Sequence, residues 1–314
     1  MSAEAPLLDW VLHKYPDTPK KRAKEWIQAG RVSVNGVTIR QPHHRLFDPG
    51  AALAVSGRQA VTLDCGRDGW AIHPRVTLLY LDTALAVVNK GSGLLAVSAT
   101  PEDLSAQSIL KDWLAGKFRG RQAPPTYRQL QPLPVHRLDL YTTGVFCLAL
   151  NPAARAALIE QLQSRVMQRE YVAYADGRAK TPAGTWRDWL KLDTDGLSQT
   201  VVPAETPEAE EAITHYETIA EFPLLRGFVT KLRLRLETGR KHQIRVQAAA
   251  AGLPLIGDRT YHPHYAGEFP RQALHAETLR LEHPERPGIQ LAWTAPLPDD
   301  LRQLQAALQS NRPV

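Results

Sequence analysis

The segment VHRLDLYTTGVFCLAL, residues 135–150, concentrates the chemistry of this sequence. Arg137 and Asp139 stand two apart in a short stretch that ends in Thr142-Thr143-Gly144 and runs into the apolar strand pattern VFCLAL. A carboxylate is thereby put on a loop held by a rigid strand, a common position for a catalytic group. One carboxylate so held can act as nucleophile or base. On its own, His-Arg-Leu-Asp reads more readily as a structural ion pair or an aspartate turn.

Other patterns carry less. Gly91-x-Gly93-x-x-Ala96 follows a strand pattern, but no amphipathic helix opens there and Pro101 soon interrupts the chain. A glycine turn is therefore expected rather than a dinucleotide fingerprint. His43 and His44 are adjacent, and His262 and His264 flank a proline. Neither pair has the i, i+4 helical spacing of a zinc site, so both are expected on loops or at the surface. Cys65 and Cys147 form no CxxC pattern, which argues against a disulfide scaffold and a zinc site and fits a reducing cytosol. The absence of GxxxxGK[ST] and GxSxG removes phosphate-loop NTP hydrolysis and the hydrolase elbow. No metal and no cofactor is expected.

The elements that must position Asp139 can be read from periodicity. VTLLYLDTALAVVNK is two short apolar strands around a polar turn, and SAQSILKDWL is helical. KFRGRQAPPTYRQLQPLP is a basic, proline-studded stretch expected as a mobile loop leading into residues 135–150. NPAARAALIEQLQSR is an amphipathic helix with Asn151 as N-cap and Pro152 at its first position. KLRLRLE alternates, with Leu232, Leu234 and Leu236 on one strand face, and GRKHQIRVQAAAAG is a helix closed by Gly252. Strands and helices interleave without repeating βαβ units, so the fold class is α+β.

Residues 1–57 read as a separate module and 58–76 as linker or peripheral structure, leaving 77–308 as the larger domain. In the module, Thr18 suits an N-cap, Pro19 the first helical position and Gly30 the C′ position. Ala23, Trp26 and Ile27 recur at helical spacing, while Lys20, Lys21, Arg22 and Lys24 crowd the first turns. Arg31 opens RVSVNGVTIR, where Asn35-Gly36 between alternating apolar residues signals a hairpin. A basic helix followed by a tight hairpin offers cations to a phosphate backbone, although a charge run alone is usually a solvated face.

The chain has 314 residues, 43% of them hydrophobic, which suits a globular enzyme domain plus a small module. Its net charge of +6 and pI of about 9.3 suggest a polyanionic partner. The N-terminus lacks the pattern of a secretory signal, and no apolar run approaches the ~20 residues of a spanning helix. A cytoplasmic protein with no membrane association is expected.

The motifs taken together resemble a known family. HRLDLYTTG resembles the HRLDxxTSG motif of RluA-type pseudouridine synthases, with Thr143 in place of serine. In the same order, LLYLDTALAVVNKGSGLL resembles that family's opening motif, with Gly91 where proline is usual, and SRVMQREYVAYADG resembles the strand that carries its tyrosine. LETGRKHQIRVQAAAAGLPLIGDRTYH resembles TGRxHQIRVH…GxPxxGDxxY, with Gln247 in place of histidine, and LHAETLRLEHP and APLP complete the pattern. Residues 1–57 resemble the S-four-type (alpha-L) RNA-binding module through LLDWVL and AKEWIQAGRVSVNG, with Lys21-Arg22 replacing the usual Ser-Arg.

The resemblance implies a mixed, mainly antiparallel sheet with flanking helices, preceded by a small α/β RNA-binding module. It implies isomerisation of uridines to pseudouridine in folded RNA, with Asp139 catalytic and Arg245 paired with it. Tyr171 would stack on the target base, Arg137 would fill the space left by the flipped nucleotide or hold a phosphate, and Leu274 would supply an apolar wall. The module, through Lys20, Lys21, Arg22, Lys24 and Arg31, favours large-subunit ribosomal RNA over transfer RNA as the substrate of a monomeric enzyme. A non-catalytic RNA-binding or ribosome-assembly protein would have lost Asp139 or Arg245. A metal-dependent nuclease would need clustered carboxylates where HRLD offers one.

Overall fold

The structure is a computed structural model that describes residues 5–16, 18–28, 31–35, 37–46, 52–55, 63–65, 68–98, 100, 102–118, 120–225, 227–263 and 269–310. The chain divides into two compact units, residues 1–61 and 62–314.

In the first unit, β1 (Ala5–Pro6) leads into helices α1 (Leu7–Lys14) and α2 (Lys20–Gln28). The hairpin β2 (Val32–Val34) and β3 (Val37–Thr38) follows, then β4 (Arg45–Leu46) and β5 (Leu53–Val55). Leu7, Leu8 and Val11 of α1 and Ala23 and Ile27 of α2 bury against Val32, Val34, Leu46 and Leu53, so the apolar helix faces and the alternating strands share one core. The Pro19 carbonyl accepts from Ala23 N–H at 3.1 Å, which makes Pro19 rather than Thr18 the cap of α2. Asn35 has φ +50° at the hairpin, as its turn requires, and its Oδ1 accepts from Ala52 N–H at 2.8 Å. Gly30 and Gly36 lie outside the described residues.

The second unit is built on a mixed sheet of thirteen strands among the described residues. In chain order they begin with β6 (Leu63–Asp64), β7 (Trp70–His73), β8 (Val76–Leu81) and β9 (Leu85–Lys90). Helix α3 (Ala106–Leu114) precedes β10 (Leu133–Pro134) and β11 (Thr143–Ala149), and α4 (Pro152–Gln163) precedes β12 (Gln168–Asp176). The long β13 (Ala183–Leu192) is followed by the short β14 (Gln199–Val202) and the long β15 (Glu210–Pro223) and β16 (Phe228–Leu236). Helix α5 (Gln243–Ala250), β17 (Leu274–Glu282), β18 (Gln290–Thr294) and α6 (Asp299–Gln309) complete the chain. The strand order is β14-β13-β15-β16-β12-β17-β11-β9-β8-β6, with every pairing antiparallel except β11 with β17. The expected α+β class with a mainly antiparallel sheet is the observed one.

The central strands are buried on both faces. Ala86, Val88, Phe146 and Leu148 pack with Leu110, Trp113 and Leu114 of α3 on one side. Leu85, Val87, Val145 and Cys147 pack with Ala154 and Leu158 of α4 on the other. This is why β9 and β11 read as near-continuous apolar runs rather than alternating ones. Helix α3 begins at a reciprocal capping box between Ser105 and Ser108, and α4 begins at Asn151, whose Oδ1 accepts from Ala154 N–H at 2.9 Å.

Within residues 58–76, expected as linker or peripheral structure, the short strands β6 and β7 both pair with β8. Strands of two and four residues are too short for a period to show. His262, expected on a loop or at the surface, lies on a loop but is buried, with its Nε2 3.1 Å from Asp176 Oδ2, whereas His43 and His44 are exposed. His264 lies outside the described residues. Within the proline-studded stretch, Tyr127 is fully buried and the Trp113 indole N–H donates to the Arg121 carbonyl at 2.7 Å, so this segment is packed against α3.

Candidate active site

Asp139 sits at the start of a turn in which its carbonyl accepts from Thr142 N–H at 3.1 Å. The chain then enters β11 through Gly144, at φ +117°. A Cβ there would lie 2.1 Å from the Ala276 carbonyl oxygen of β17, so only glycine lets the two parallel strands close behind the Asp139 loop. Beside it, Thr143 Oγ1 lies 2.9 Å from His275 Nδ1, and His275 Nε2 lies 3.2 Å from the Ala295 carbonyl. A carbonyl can only accept, so Nε2 carries the proton and Nδ1 takes the threonine hydroxyl. Burial lowers the His275 pKa to about 4, which keeps that tautomer neutral.

Lys90, at the end of β9, ties the loop down from below. Its ammonium is buried and donates to the carbonyls of Gly91, Leu94 and Leu140 at 3.0, 2.8 and 3.1 Å. Burial lowers its pKa to about 7, the Asp139 charge opposing that fall and Arg271 adding to it. Gly91 N–H donates to the Arg75 carbonyl at 2.8 Å, a bond that proline could not make.

Arg245 projects from α5, whose C-terminus closes as a Schellman turn. Leu253 N–H bonds Ala248 O at 2.8 Å and Gly252 N–H bonds Ala249 O at 3.0 Å, with Gly252 at φ +77°. The arginine Nε and Nη2 meet the two carboxylate oxygens of Asp258 at 2.6 and 2.8 Å, and Nη2 reaches Thr260 Oγ1 at 3.1 Å. That leaves Nη1 for Asp139 Oδ2, 3.3 Å away. Burial works against the Arg245 charge, but the hydrogen bonds and charges of Asp258 and Asp139 raise its pKa above the usual arginine value. His242 approaches the same Asp139 oxygen at 4.0 Å from a left-handed conformation, φ +53°, with its Nδ1 3.1 Å from the Tyr261 hydroxyl. Burial lowers the His242 pKa to about 4 against the pull of Asp139, so at neutral pH it is an uncharged hydrogen-bonding group.

Gln247, where the motif has histidine, is fully engaged in the core. Its amide donates to Asp188 Oδ2 at 2.7 Å and Ala212 O at 3.1 Å, and its oxygen accepts from Thr214 Oγ1 at 2.6 Å. These partners suit an amide, which donates and accepts at once.

Asp139, Arg137, Tyr171, Arg245 and Leu274 all line one cavity of about 920 Å³. Arg137 is exposed at its rim, while Tyr171 from β12 and Leu274 from β17 are buried in its wall at 5% and 4% exposure. Burial raises the Tyr171 pKa, Arg169 opposing and Asp139 adding, so its hydroxyl is protonated at neutral pH. Lys90, His242, Asp258 and Thr260 were not singled out by sequence. The GDxxY pattern around Asp258 was visible, but its partner lies thirteen residues earlier on another element. In the N-terminal unit, Lys20, Lys21 and Arg22 are exposed, and Lys24 and Arg31 are half-buried. The guanidiniums of Arg22 and Arg31 lie 5.9 and 5.2 Å from the Trp26 ring centre.

Comparison with known proteins agrees with this geometry. A family model described as RNA pseudouridylate synthase matches residues 84–250, and an S4 domain model matches residues 6–46. The chain is 34% identical to ribosomal large subunit pseudouridine synthase D of Yersinia pestis, over 95% of this chain and 89% of that protein. It is 32% identical to the protein of the same name from Escherichia coli K12, over 95% of this chain and 88% of that protein. Among solved structures, human RNA pseudouridylate synthase domain containing 4 shares the fold with a TM-score of 0.56 at 23% identity, covering 74% of this chain and 92% of that one. With the family motifs on the strands and loops that surround one carboxylate-bearing cavity, the chain belongs to the RNA pseudouridylate synthase family and isomerises uridine in RNA.

Proposed function

We propose that the substrate is large-subunit ribosomal RNA and that Asp139 is the catalytic carboxylate. The observation that carries the catalytic reading is the convergence of Asp139, Arg245, Tyr171 and Leu274, from three strands or loops and one helix, on one cavity. The relatives spanning nearly the whole chain are named as large-subunit ribosomal enzymes, which favours that RNA over transfer RNA. The basic α2 supports a large structured target, because each phosphate neutralised releases counterions and adds affinity.

The reaction breaks the C1′–N1 bond, rotates the base and joins C5 to C1′, with loss of the C5 proton. Asp139 acts as nucleophile or base while Arg245 fixes one of its oxygens, and Tyr171 gives the flipped uracil a flat surface on which to stack. Leu274 keeps the wall apolar, and Arg137 at the rim takes the space or the phosphate of the flipped nucleotide. Nothing is oxidised or reduced overall, so the rearrangement calls for no redox cofactor. The two cysteines, both buried, suit a cytosolic enzyme.

Pseudouridine mapping in total RNA from cells with and without this protein tests the substrate. Loss of one or more positions in large-subunit ribosomal RNA is expected, and losses confined to transfer RNA would overturn the assignment.

A further inference from the structure

Two buried hydrogen-bond donors on residues that line the cavity have no partner among the described residues. Arg169, on β12 two residues before Tyr171, is only 8% exposed. Its Nη2 donates to the Thr238 carbonyl at 3.1 Å, and its buried Nε has no partner. No carboxylate lies within ion-pairing distance of it among the described residues, whereas Arg165 pairs with Glu237, Arg240 with Glu210 and Arg245 with Asp258. The second donor is on His136. Cys147 N–H donates to His136 Nε2 at 3.2 Å, so Nε2 is the bare nitrogen and Nδ1 carries the hydrogen. Burial, with Arg169 adding, lowers the His136 pKa to about 3, so the ring is neutral. Its Nδ1 is buried without a partner.

A buried cation with no carboxylate in ion-pairing distance, lining the same cavity as an unpaired buried N–H, is unfavourable in the empty protein. Such an arrangement persists at functional sites where a ligand supplies what is missing. Gly239 maintains it: a Cβ there would stand 2.8 Å from Arg169 Nη1, and its backbone is not in the left-handed region, so that contact is what an alanine would meet.

We propose that Arg169 and His136 form a receptor for an anionic oxygen of the bound nucleotide, and that this oxygen is O2 or O4 of uracil in its detached state. When the C1′–N1 bond breaks, its electron pair leaves on N1, and the negative charge is shared with O2 and O4. Asp139 balances this by bonding to C1′ or by taking a ribose proton. The charge on the base persists until C5 bonds C1′, when the Asp139–C1′ bond breaks or the ribose proton returns and the charge goes back to the Asp139 carboxylate. C5 then gives up its proton and N1 takes one up. A donor pair aimed at charge that develops only in the reaction accelerates it without strengthening substrate binding. Depth separates this receptor from phosphate contacts, because Arg137, Arg155 and Arg165, which line the same cavity, are exposed. The inference rests on the reading above only in that a uridine of the substrate RNA occupies this cavity.

The test compares wild type, Arg169→Met, Arg169→Lys and Gly239→Ala on a 5-tritiated large-subunit ribosomal RNA transcript. Three quantities are measured: the thermal midpoint without RNA, the Kd with its salt slope, and single-turnover tritium release at saturating enzyme. Arg169→Met is expected to keep its thermal midpoint, since removing an unpaired buried charge relieves the empty protein. It should keep its Kd and lose about 100-fold in single-turnover rate. Arg169→Lys should recover part of that rate, and Gly239→Ala should lose rate with the arginine still present. A weaker Kd with a salt slope smaller by about 1 and an unchanged rate would support the receptor and make its ligand a backbone phosphate. A lower thermal midpoint with rate and Kd both unchanged, or no change in any of the three, would overturn it. If wild type itself is inert on this transcript, the substrate reading fails instead, and the same comparison on the RNA it does modify decides the receptor.

Discussion

Arg245 meets Asp258 through two hydrogen bonds of 2.6 and 2.8 Å but reaches Asp139 through a single one of 3.3 Å. The fully buried Asp258 is thus the anchor, and Asp139 receives the one edge of the guanidinium that the anchor leaves over. Planar, bidentate pairing fixes the direction of an arginine as no single contact can. Asp139, the proposed catalytic carboxylate, is therefore oriented at one remove.

The consequence is that Asp258 should matter to turnover without touching substrate. Asp258→Ala strands a buried guanidinium and should destabilise the protein by about 3–5 kcal/mol. Asp258→Asn keeps the volume but not the charge, and its turnover should fall by about tenfold or more with RNA affinity retained. Denaturant unfolding beside steady-state tritium release would measure both. Wild-type turnover in the asparagine variant would mean that Arg245 holds its place without the ion pair.

Tyr171 allows its ring and hydroxyl to be separated. Tyr171→Phe keeps the face, so RNA affinity should change by well under the ~1–3 kcal/mol of a lost stack, while tritium release slows if the hydroxyl helps remove the C5 proton. Tyr171→Leu should lose affinity as well. Wild-type release by the phenylalanine variant would leave stacking as the ring's role, and full activity in the leucine variant would remove Tyr171 from the site.

Acid should destabilise the protein through its histidines. Burial holds His136 at about 3 and His242 and His275 at about 4, against 6.5 for each when exposed. Between those limits the unfolded chain binds more protons than the folded one, so stability is full above pH 6.5 and is lost as pH falls toward 4. Urea midpoints measured from pH 7.5 to 4.5 should decline through this window, and His275→Gln should flatten the decline. A midpoint that is level down to pH 5 would contradict buried neutral histidines.

What the sequence made legible follows from how each feature is encoded. Asn151-Pro152 and the Schellman glycine Gly252 mark helix ends locally, and the apolar runs of β8, β9 and β11 mark buried strands. Strands β13 and β15 gave no such signal, because their mixed burial places charged side chains along both faces. Asp139, Arg137, Tyr171, Arg245 and Leu274 were legible because each sits in a short ordered motif. The roles of Lys90 and Asp258 exist only after folding: a lysine ending a strand pattern does not announce that it will hold three carbonyls. Likewise, the left-handed backbone of His242 is set by where α5 must begin.

The central claim is that Asp139 performs the isomerisation, and one substitution tests it most directly. Asp139→Asn preserves shape and a hydrogen-bonding oxygen for Arg245, yet an amide is a poor nucleophile and base. Single-turnover pseudouridine formation on large-subunit ribosomal RNA, measured with the variant shown to be folded and to bind RNA as wild type does, should fall to background. A rate within tenfold of wild type would contradict the account.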